Sequence, residues 1–192
     1  MTPPFAIFVL FSLSFFLCCC FNGAIAADLI QETCKKSAQK DPNINYKFCV
    51  TSLEAVPKSH NAMSLKSLAR ISIKLAKTNA TRTRSYVKKL SKSKTLNPRD
   101  KPPLTDCLEL YSDAVDSLKA AVKAFKSKDY SKANVEVSSA MDAPSTCEEG
   151  FQETKGGVSP LTKRNKDMFQ LCAIALSIIN MVSKELTLKE EL

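Results

Sequence analysis

Glycine is scarce in this chain of 192 residues. There are four, and three of them, Gly150, Gly156 and Gly157, lie in one stretch. No segment of useful length alternates apolar and polar side chains as a half-buried strand does. Few turn residues and no strand-like alternation predict long helices joined by few turns, and therefore an all-α fold.

Histidine is scarcer still, because His60 is the only one. A histidine-rich metal centre is therefore excluded, and a Ser/His/Asp or Cys/His mechanism would depend on His60 alone. The HExxH and GxSxG motifs, a glycine-rich phosphate loop and, beyond residue 27, a CxxC motif are all missing. The neighbouring acids Glu148 and Glu149 are interpreted as a solvated helix face rather than an acid/base pair. We predict no enzyme activity, no cofactor and no metal.

Charge is missing from the first 27 residues, which hold no Asp, Glu, Lys or Arg. An apolar run over Phe5–Phe21 precedes Ala24-Ile25-Ala26, a small-x-small cleavage site. This pattern predicts a secretory signal peptide over residues 1–26 and a secreted, extracellular protein. The alternative is an N-terminal membrane anchor, but the run is shorter than the roughly 20 residues that a span needs.

Removing that segment leaves five cysteines, an odd number that in an oxidising compartment suggests two disulfides and one thiol. Sequence alone does not fix the pairing, although locality favours Cys34–Cys49 and Cys107–Cys147. Cys172 lies on an apolar helical stripe, which favours a buried, inert thiol over a reactive nucleophile.

Four segments repeat apolar residues in steps of three and four, the pattern of amphipathic helices. They are predicted over Ser64–Leu90, after Pro102-Pro103, from Asp129, and from near Thr162. The fourth stripe is Met168, Cys172, Ala175, Ile179, Val182 and Leu186. Four faces of this kind close as an antiparallel up-and-down four-helix bundle, predicted over residues 61–192.

Two features modify that bundle. Pro144 falls on the apolar face of the third helix and is predicted to kink or interrupt it, with a restart at Ser145–Glu148, which fits a capping box. Residues 27–60 are predicted to form two short helices folded as a hairpin, which a Cys34–Cys49 bridge would clamp. Hairpin and bundle together are predicted to make one domain.

A basic cluster lies between Arg82 and Lys101. Eight cations face one acid, Asp100, so this cluster carries +7 of the chain's net +9. In a secreted protein the cluster favours an acidic extracellular polymer or acidic protein over nucleic acid, and an idle solvated helix end is the alternative. Asn79-Ala80-Thr81 is a sequon for N-glycosylation at Asn79.

The segment between the third and fourth helices is the remaining candidate site. It combines flexible glycines, a proline, an exposed-looking leucine and two adjacent cations. Loops displayed on rigid scaffolds often carry binding contacts, and a cation here suits a carboxylate-lined cleft. The alternative is a plain connector whose threonine caps the last helix. The candidate residues are Ser159, Pro160, Leu161, Thr162, Lys163 and Arg164.

Several motifs together resemble the plant invertase/pectin methylesterase inhibitor family. They are the leader, Cys34 and Cys49 around a short hairpin, Asp106–Tyr111, Ser138–Met141 with Thr146–Phe151, and Ser159–Asn165. The last is similar to the invertase inhibitors of the family, which include pollen allergens of plane trees. The resemblance covers essentially all of the chain after the leader.

The resemblance implies a four-helix bundle with an N-terminal hairpin, bridged as Cys34–Cys49 and Cys107–Cys147. It also implies a secreted inhibitor that blocks a carbohydrate-active enzyme in a one-to-one complex. Invertase-directed members are thought to place a Pro-Lys-Phe-type element in the substrate cleft. In this chain the loop has Pro160-Leu161-Thr162-Lys163 instead, and the only Lys-Phe pair is Lys47-Phe48.

The leading hypothesis is therefore inhibition of a plant invertase through Ser159–Asn165, with Lys163 and Arg164 pairing with active-site carboxylates. The first alternative is inhibition of pectin methylesterase through the helical faces of the bundle. The second is a wall protein that binds acidic pectin through Arg82–Lys101. No nucleic-acid or membrane partner is expected.

Overall fold

The computed structural model describes residues 26–154 and 158–190, and over these residues the chain is helical without strands. The predicted signal peptide lies outside them, apart from Ala26. The helices are α1 over residues 26–40, α2 (Tyr46–Glu54), α3 (Leu65–Leu90), α4 (Lys101–Lys126), α5 (Tyr130–Gln152) and α6 (Thr162–Glu190). Short 3₁₀ helices, Pro57–Asn61 and Pro98–Asp100, precede α3 and α4.

Helices α3 to α6 form the predicted four-helix bundle. Helices α3 and α5 each pack against both α4 and α6, so the four surround one core. The starts follow local chemistry: the side chain of Ser64 accepts from the Ser67 N–H, and that of Asp129 from the Lys132 N–H. Only three residues separate α4 from α5, which makes those two helices antiparallel neighbours.

The two short helices form the predicted hairpin, which docks on α6. The Cys34–Cys49 disulfide clamps it, with the two Cα atoms 5.7 Å apart. At its turn, Gln170 of α6 accepts a hydrogen bond from the Asn45 N–H and donates one to the Asn43 carbonyl oxygen. The hairpin is thus held both covalently and by polar contacts to the bundle.

Pro144 lies inside α5, which is continuous from Tyr130 to Gln152. The predicted interruption and restart at Ser145 are therefore wrong. A proline within a helix costs about 3 kcal/mol or more, because a hydrogen bond is lost. Here Pro144 is buried, and one turn later the Cys107–Cys147 disulfide ties α5 to α4. We attribute the helix's continuity to this packing and cross-link.

Helix α6 is buried more widely than its predicted stripe. Leu171, Ile174 and Ile178 are buried as well, because the hairpin covers a side of α6 that the bundle leaves open. Leu186, predicted in the stripe, is 38% exposed. Among the described helices α6 alone is long and apolar enough to cross a membrane, by length and composition. Here its apolar sides pack within the protein.

Candidate functional site: an anchored loop at the start of α6

The predicted loop contacts the bundle through one apolar side chain. Leu161, expected to look exposed, is 0% exposed, and it lies in the same buried core as Tyr111 and Phe151. Its neighbours Pro160 and Thr162 are exposed. The loop is therefore held by leucine burial, while the residues on either side face solvent. Gly156 and Gly157 lie outside the described residues.

A chain of polar contacts lies beneath this loop. The Tyr111 hydroxyl donates to Asn165 Oδ1 over 2.7 Å. Asn165 Nδ2 donates to Glu148 Oε2 over 2.6 Å, and the Thr162 hydroxyl donates to Glu148 Oε1 over 2.5 Å. The network joins α4, α5 and α6 at one end of the bundle.

The network corrects two sequence-based interpretations. Glu148 does not belong to a merely solvated face, because both of its carboxylate oxygens accept hydrogen bonds from the start of α6. Thr162 begins α6, but its hydroxyl donates to Glu148 rather than accepting from a helix N–H. The Ser159 carbonyl oxygen, 3.1 Å from the same hydroxyl, is an alternative acceptor for its one proton. Its role is to fix the loop's course.

Burial dominates the electrostatics below the loop. It raises the pKa of Tyr111 well above its ordinary value, and the nearby Cys172 and Glu148 raise it further. Burial also raises the pKa of the Cys172 thiol to about 12. Both groups are therefore neutral at physiological pH, and the Tyr111 hydroxyl keeps the proton that it donates to Asn165. This arrangement orients a loop and holds no nucleophile.

The two cations of the loop have different surroundings. Lys163 is 86% exposed, and its Nζ lies 2.6 Å from Asp167 Oδ2, one helical turn along α6. Arg164 is partly buried, with its guanidinium 4.1 Å from the centre of the Tyr86 ring on α3. Lys163 is consequently the more exposed of the two cations, whereas Arg164 also links the loop to α3.

The other candidate residues lie elsewhere. Cys107 and Cys147 are bonded to each other, and Cys172 is a buried free thiol. Asn79 is half-buried in α3, with a buried side-chain oxygen that lacks a hydrogen-bond partner, and its glycosylation stays a prediction. In the described ranges no group of three His, Cys, Asp or Glu side chains is placed to hold a metal ion.

Comparison with known proteins identifies the family. The sequence pattern of the family described as "Plant invertase/pectin methylesterase inhibitor" matches residues 28–178. The chain belongs to this inhibitor family. The protein is therefore an inhibitor of invertase or pectin methylesterase rather than an enzyme.

Some relatives within the inhibitor family are named as invertase inhibitors and others as pectinesterase inhibitors. A Platanus acerifolia protein named "Putative invertase inhibitor" is 48% identical over 177 residues, covering 88% of this chain and 98% of that protein. "Pectinesterase inhibitor 12" of Arabidopsis thaliana is 38% identical over 162 residues, covering 84% and 92%. A solved pectin methylesterase inhibitor from Arabidopsis, in mutant form, has a TM-score of 0.63 at 27% identity, covering 71% of this chain and 89% of that one.

Family membership fits the two disulfides, which locality favoured and the resemblance implied, and the bundle, which the apolar periodicity predicted. Sequence reasoning missed the network under the loop. The relevant residues were visible, since Tyr111 and Glu148 lie in two of the quoted motifs and Asn165 ends the third. Only the fold shows that residues 111, 148 and 165 meet at one point.

Proposed function

We propose that this inhibitor acts on an invertase, a β-fructofuranosidase, in a one-to-one complex whose contact is the loop Ser159–Arg164. The observation that supports this target is the 48% identity to a relative named as an invertase inhibitor, against 38% for a relative named as a pectinesterase inhibitor. The loop is the part of the molecule that suits insertion into a cleft.

The physical basis is preorganisation. An inhibitory loop that is ordered before binding avoids much of the entropy cost of ordering on the enzyme. Leu161 is buried, and Thr162 and Asn165 are hydrogen-bonded to Glu148, so the end of the loop next to α6 is anchored to the bundle before binding. Pro160 restricts the backbone conformations of the loop further, because its ring fixes its own φ angle.

Charge supplies the specificity in this proposal. Lys163 exchanges its partly buried partner Asp167 for a carboxylate of the enzyme's cleft, where the pair is desolvated and stronger. Arg164 supplies a second positive charge from a position that Tyr86 orients. Both cations thus act at an acidic active site, from positions that differ in exposure.

The test is inhibition of a purified plant invertase by the oxidised protein and its variants. Lys163→Ala should weaken inhibition by about 2 kcal/mol, or roughly 30-fold, as expected for loss of a buried charge pair. The double variant Lys163→Ala/Arg164→Ala should weaken it further. Lys166→Ala removes an exposed lysine three residues along the same helix and is the matched control. Equal potency of all variants would show that the contact lies elsewhere.

Pectin methylesterase is the second candidate target. It is favoured by the solved neighbours, since an Arabidopsis pectin methylesterase inhibitor also aligns with a TM-score of 0.57 over 80% of this chain. In that case the helical faces would meet the enzyme, and loop variants would leave inhibition unchanged. Assaying both enzymes with one preparation separates the two targets.

Secretion completes the proposal. We infer that residues 1–26 are removed and that hairpin 27–60 and bundle 61–192 leave the cell as one cross-linked domain, for the wall or the vacuole. A relative named "Cell wall / vacuolar inhibitor of fructosidase 2" supports these locations. N-terminal sequencing of the exported protein should find residue 27 first, and the same material shows by mass whether Asn79 carries a glycan.

A further inference from the structure

Helix α3 is charged in one sign only. It contains eight Lys or Arg residues and no Asp or Glu: Lys66, Arg70, Lys74, Lys77, Arg82, Arg84, Lys88 and Lys89. By contrast α4 mixes both signs along its length. Like charges one turn apart repel and weaken a helix. A helix whose charged residues are all positive is therefore not explained by its contribution to the stability of the fold.

Six of these cations share one side of α3. They follow each other at intervals of four, four, three, seven and four residues, in the order Lys66, Arg70, Lys74, Lys77, Arg84 and Lys88. At about 100° per residue this spacing keeps all six within a sector of about 80°. We call these six residues the α3 stripe. With a rise of about 1.5 Å per residue it is about 33 Å long.

The stripe lies on the flank of α3 that faces α4. Arg84 and Lys88 line a groove of about 450 Å³ together with Leu108 and Ser112 of α4. Tyr86, which holds Arg164, is about 160° away around the helix by the same spacing. The stripe is therefore separate from the proposed inhibitory loop. Arg82 and Lys89, the other two cations of α3, lie outside the sector of the stripe.

The stripe cations are available for binding. None of the ion pairs found among the described residues includes a stripe cation. The charge of Arg84 acts on Asp116 of α4, but the pKa of that carboxyl is lowered chiefly by its hydrogen bond and charge interaction with Lys119 and only slightly by Arg84. Arg70, Lys74 and Lys88 are exposed, and the other three are half-buried.

We propose that the α3 stripe is a binding site for an acidic, unbranched polysaccharide of the polyuronate class. A linear polymer with a carboxylate on each sugar matches a straight row of cations in both shape and charge. The inference goes beyond the inhibitory function and does not depend on it, because it assigns a second surface that ties the protein to an acidic matrix.

Hydroxyl groups beside the stripe favour a sugar polymer. The hydroxyls of Thr81 and Ser85 on α3, and of Ser112 on α4, each donate to a carbonyl oxygen one turn earlier. Their oxygen lone pairs are thus left to accept from sugar hydroxyls. No aromatic residue lies within the stripe, so nucleobases find nothing to stack on. None of the large apolar side chains exposed in the described chain belongs to α3, which disfavours a membrane surface.

The experiment measures binding of the oxidised protein to immobilised, de-esterified polygalacturonate at several salt concentrations. We expect retention at low ionic strength that is lost at a few hundred millimolar NaCl, as for screened surface charges. Fully methyl-esterified pectin, whose carboxylates are blocked, should bind at least tenfold more weakly. Oligogalacturonides should bind more tightly with increasing length until they span the stripe.

Three variants locate the site. Arg70→Gln/Lys74→Gln/Arg84→Gln/Lys88→Gln should weaken binding at least tenfold while keeping invertase inhibition within twofold. The control removes four exposed lysines from other elements, Lys58, Lys123, Lys126 and Lys132, each changed to Gln, and so makes the same change in net charge. It should bind within twofold of the wild type. Exchanging Lys and Arg at the four stripe positions keeps the charge and should also keep binding.

Several results would overturn the proposal. Equal weakening by the control variant would mean that only net charge matters. Equal binding of esterified pectin would remove the role of the carboxylates. Tighter binding of single-stranded DNA or of anionic phospholipid vesicles than of polygalacturonate would assign the stripe to a different polyanion.

Discussion

The Tyr111 hydroxyl donates a 2.7 Å hydrogen bond to Oδ1 of Asn165, a residue 54 positions later in the sequence. Both side chains are buried, and the bond joins the middle of α4 to the first turn of α6. The start of α6, and hence the loop before it, is placed relative to the core by this contact.

Removing that hydroxyl should destabilise the protein. Tyr111→Phe leaves Asn165 Oδ1 buried without its donor, which should lower the free energy of unfolding by about 1–3 kcal/mol. Urea denaturation measures the loss. Tyr46→Phe, at an exposed tyrosine, is the control and should change stability by less than about 0.5 kcal/mol. A Tyr111→Phe protein as stable as the control would show that water replaces the bond.

Truncating the loop's buried leucine should affect stability and inhibition together. Leu161→Ala should cost about 2–5 kcal/mol of stability, the range for a fully buried leucine, and should free the loop. Pro160→Ala, at the exposed neighbour, should cost less than about 1 kcal/mol. Thermal unfolding and invertase assays on both variants check this. Full inhibition by a destabilised Leu161→Ala protein would show that loop order is not required.

Stability should fall at alkaline pH because of Cys172. Its pKa is raised from 9.0 to about 12, so between these values the unfolded chain loses a proton that the folded protein keeps. The unfolded state is then favoured as pH rises. Relative to pH 8, the wild type at pH 10 should lose about 1 kcal/mol more of its unfolding free energy than Cys172→Ala.

The measurement is urea unfolding of both proteins within minutes of the pH change, before thiol–disulfide exchange proceeds. Comparing pH dependence rather than absolute stability removes the constant cost of the Cys172→Ala cavity. Above its ordinary pKa of 10.0, Tyr111 also lowers stability as the pH rises, and it does so in both proteins. Parallel pH profiles for the two proteins would contradict the assignment to Cys172.

The two disulfides should have separable effects. Each closes a chain segment, of 15 residues for Cys34–Cys49 and 40 for Cys107–Cys147, so each should contribute about 3–4 kcal/mol in the chain-entropy description. Cys34→Ala/Cys49→Ala should loosen the hairpin and leave the bundle folded. Cys107→Ala/Cys147→Ala should destabilise the bundle itself. Hydrogen exchange resolved by segment distinguishes these outcomes, and simultaneous loss of protection everywhere in both variants would contradict them.

The helices were predictable because their signals are local. Ser64 and Asp129 are caps within one turn of the helix that each begins, and the apolar repeats show which faces are buried. The continuity of α5 through Pro144 was not predictable, since it depends on packing and on a disulfide to another helix. The broad burial of α6 was missed for a similar reason, because a second element covers it.

The loop likewise combines features that the sequence predicts with features that only the fold shows. Its position between the last two helices follows from composition alone, and so does its pair of cations. The burial of Leu161 and the bonding of Glu148 required partners from three helices, and sequence spacing does not report such meetings. The α3 stripe is different, because its periodicity is present in the sequence, but only the fold shows which neighbour it faces.

The hydrogen bonds from Asn165 and Thr162 to Glu148 bear on loop transplantation. A segment moved from this protein to a relative's scaffold would keep its shape only if the recipient supplied a carboxylate on its third bundle helix and a phenol on its second. Swapping residues 158–165 alone transfers the loop's sequence without the side chains that hold its conformation. Chimeras that aim to redirect inhibition should therefore carry Tyr111 and Glu148 together with the loop.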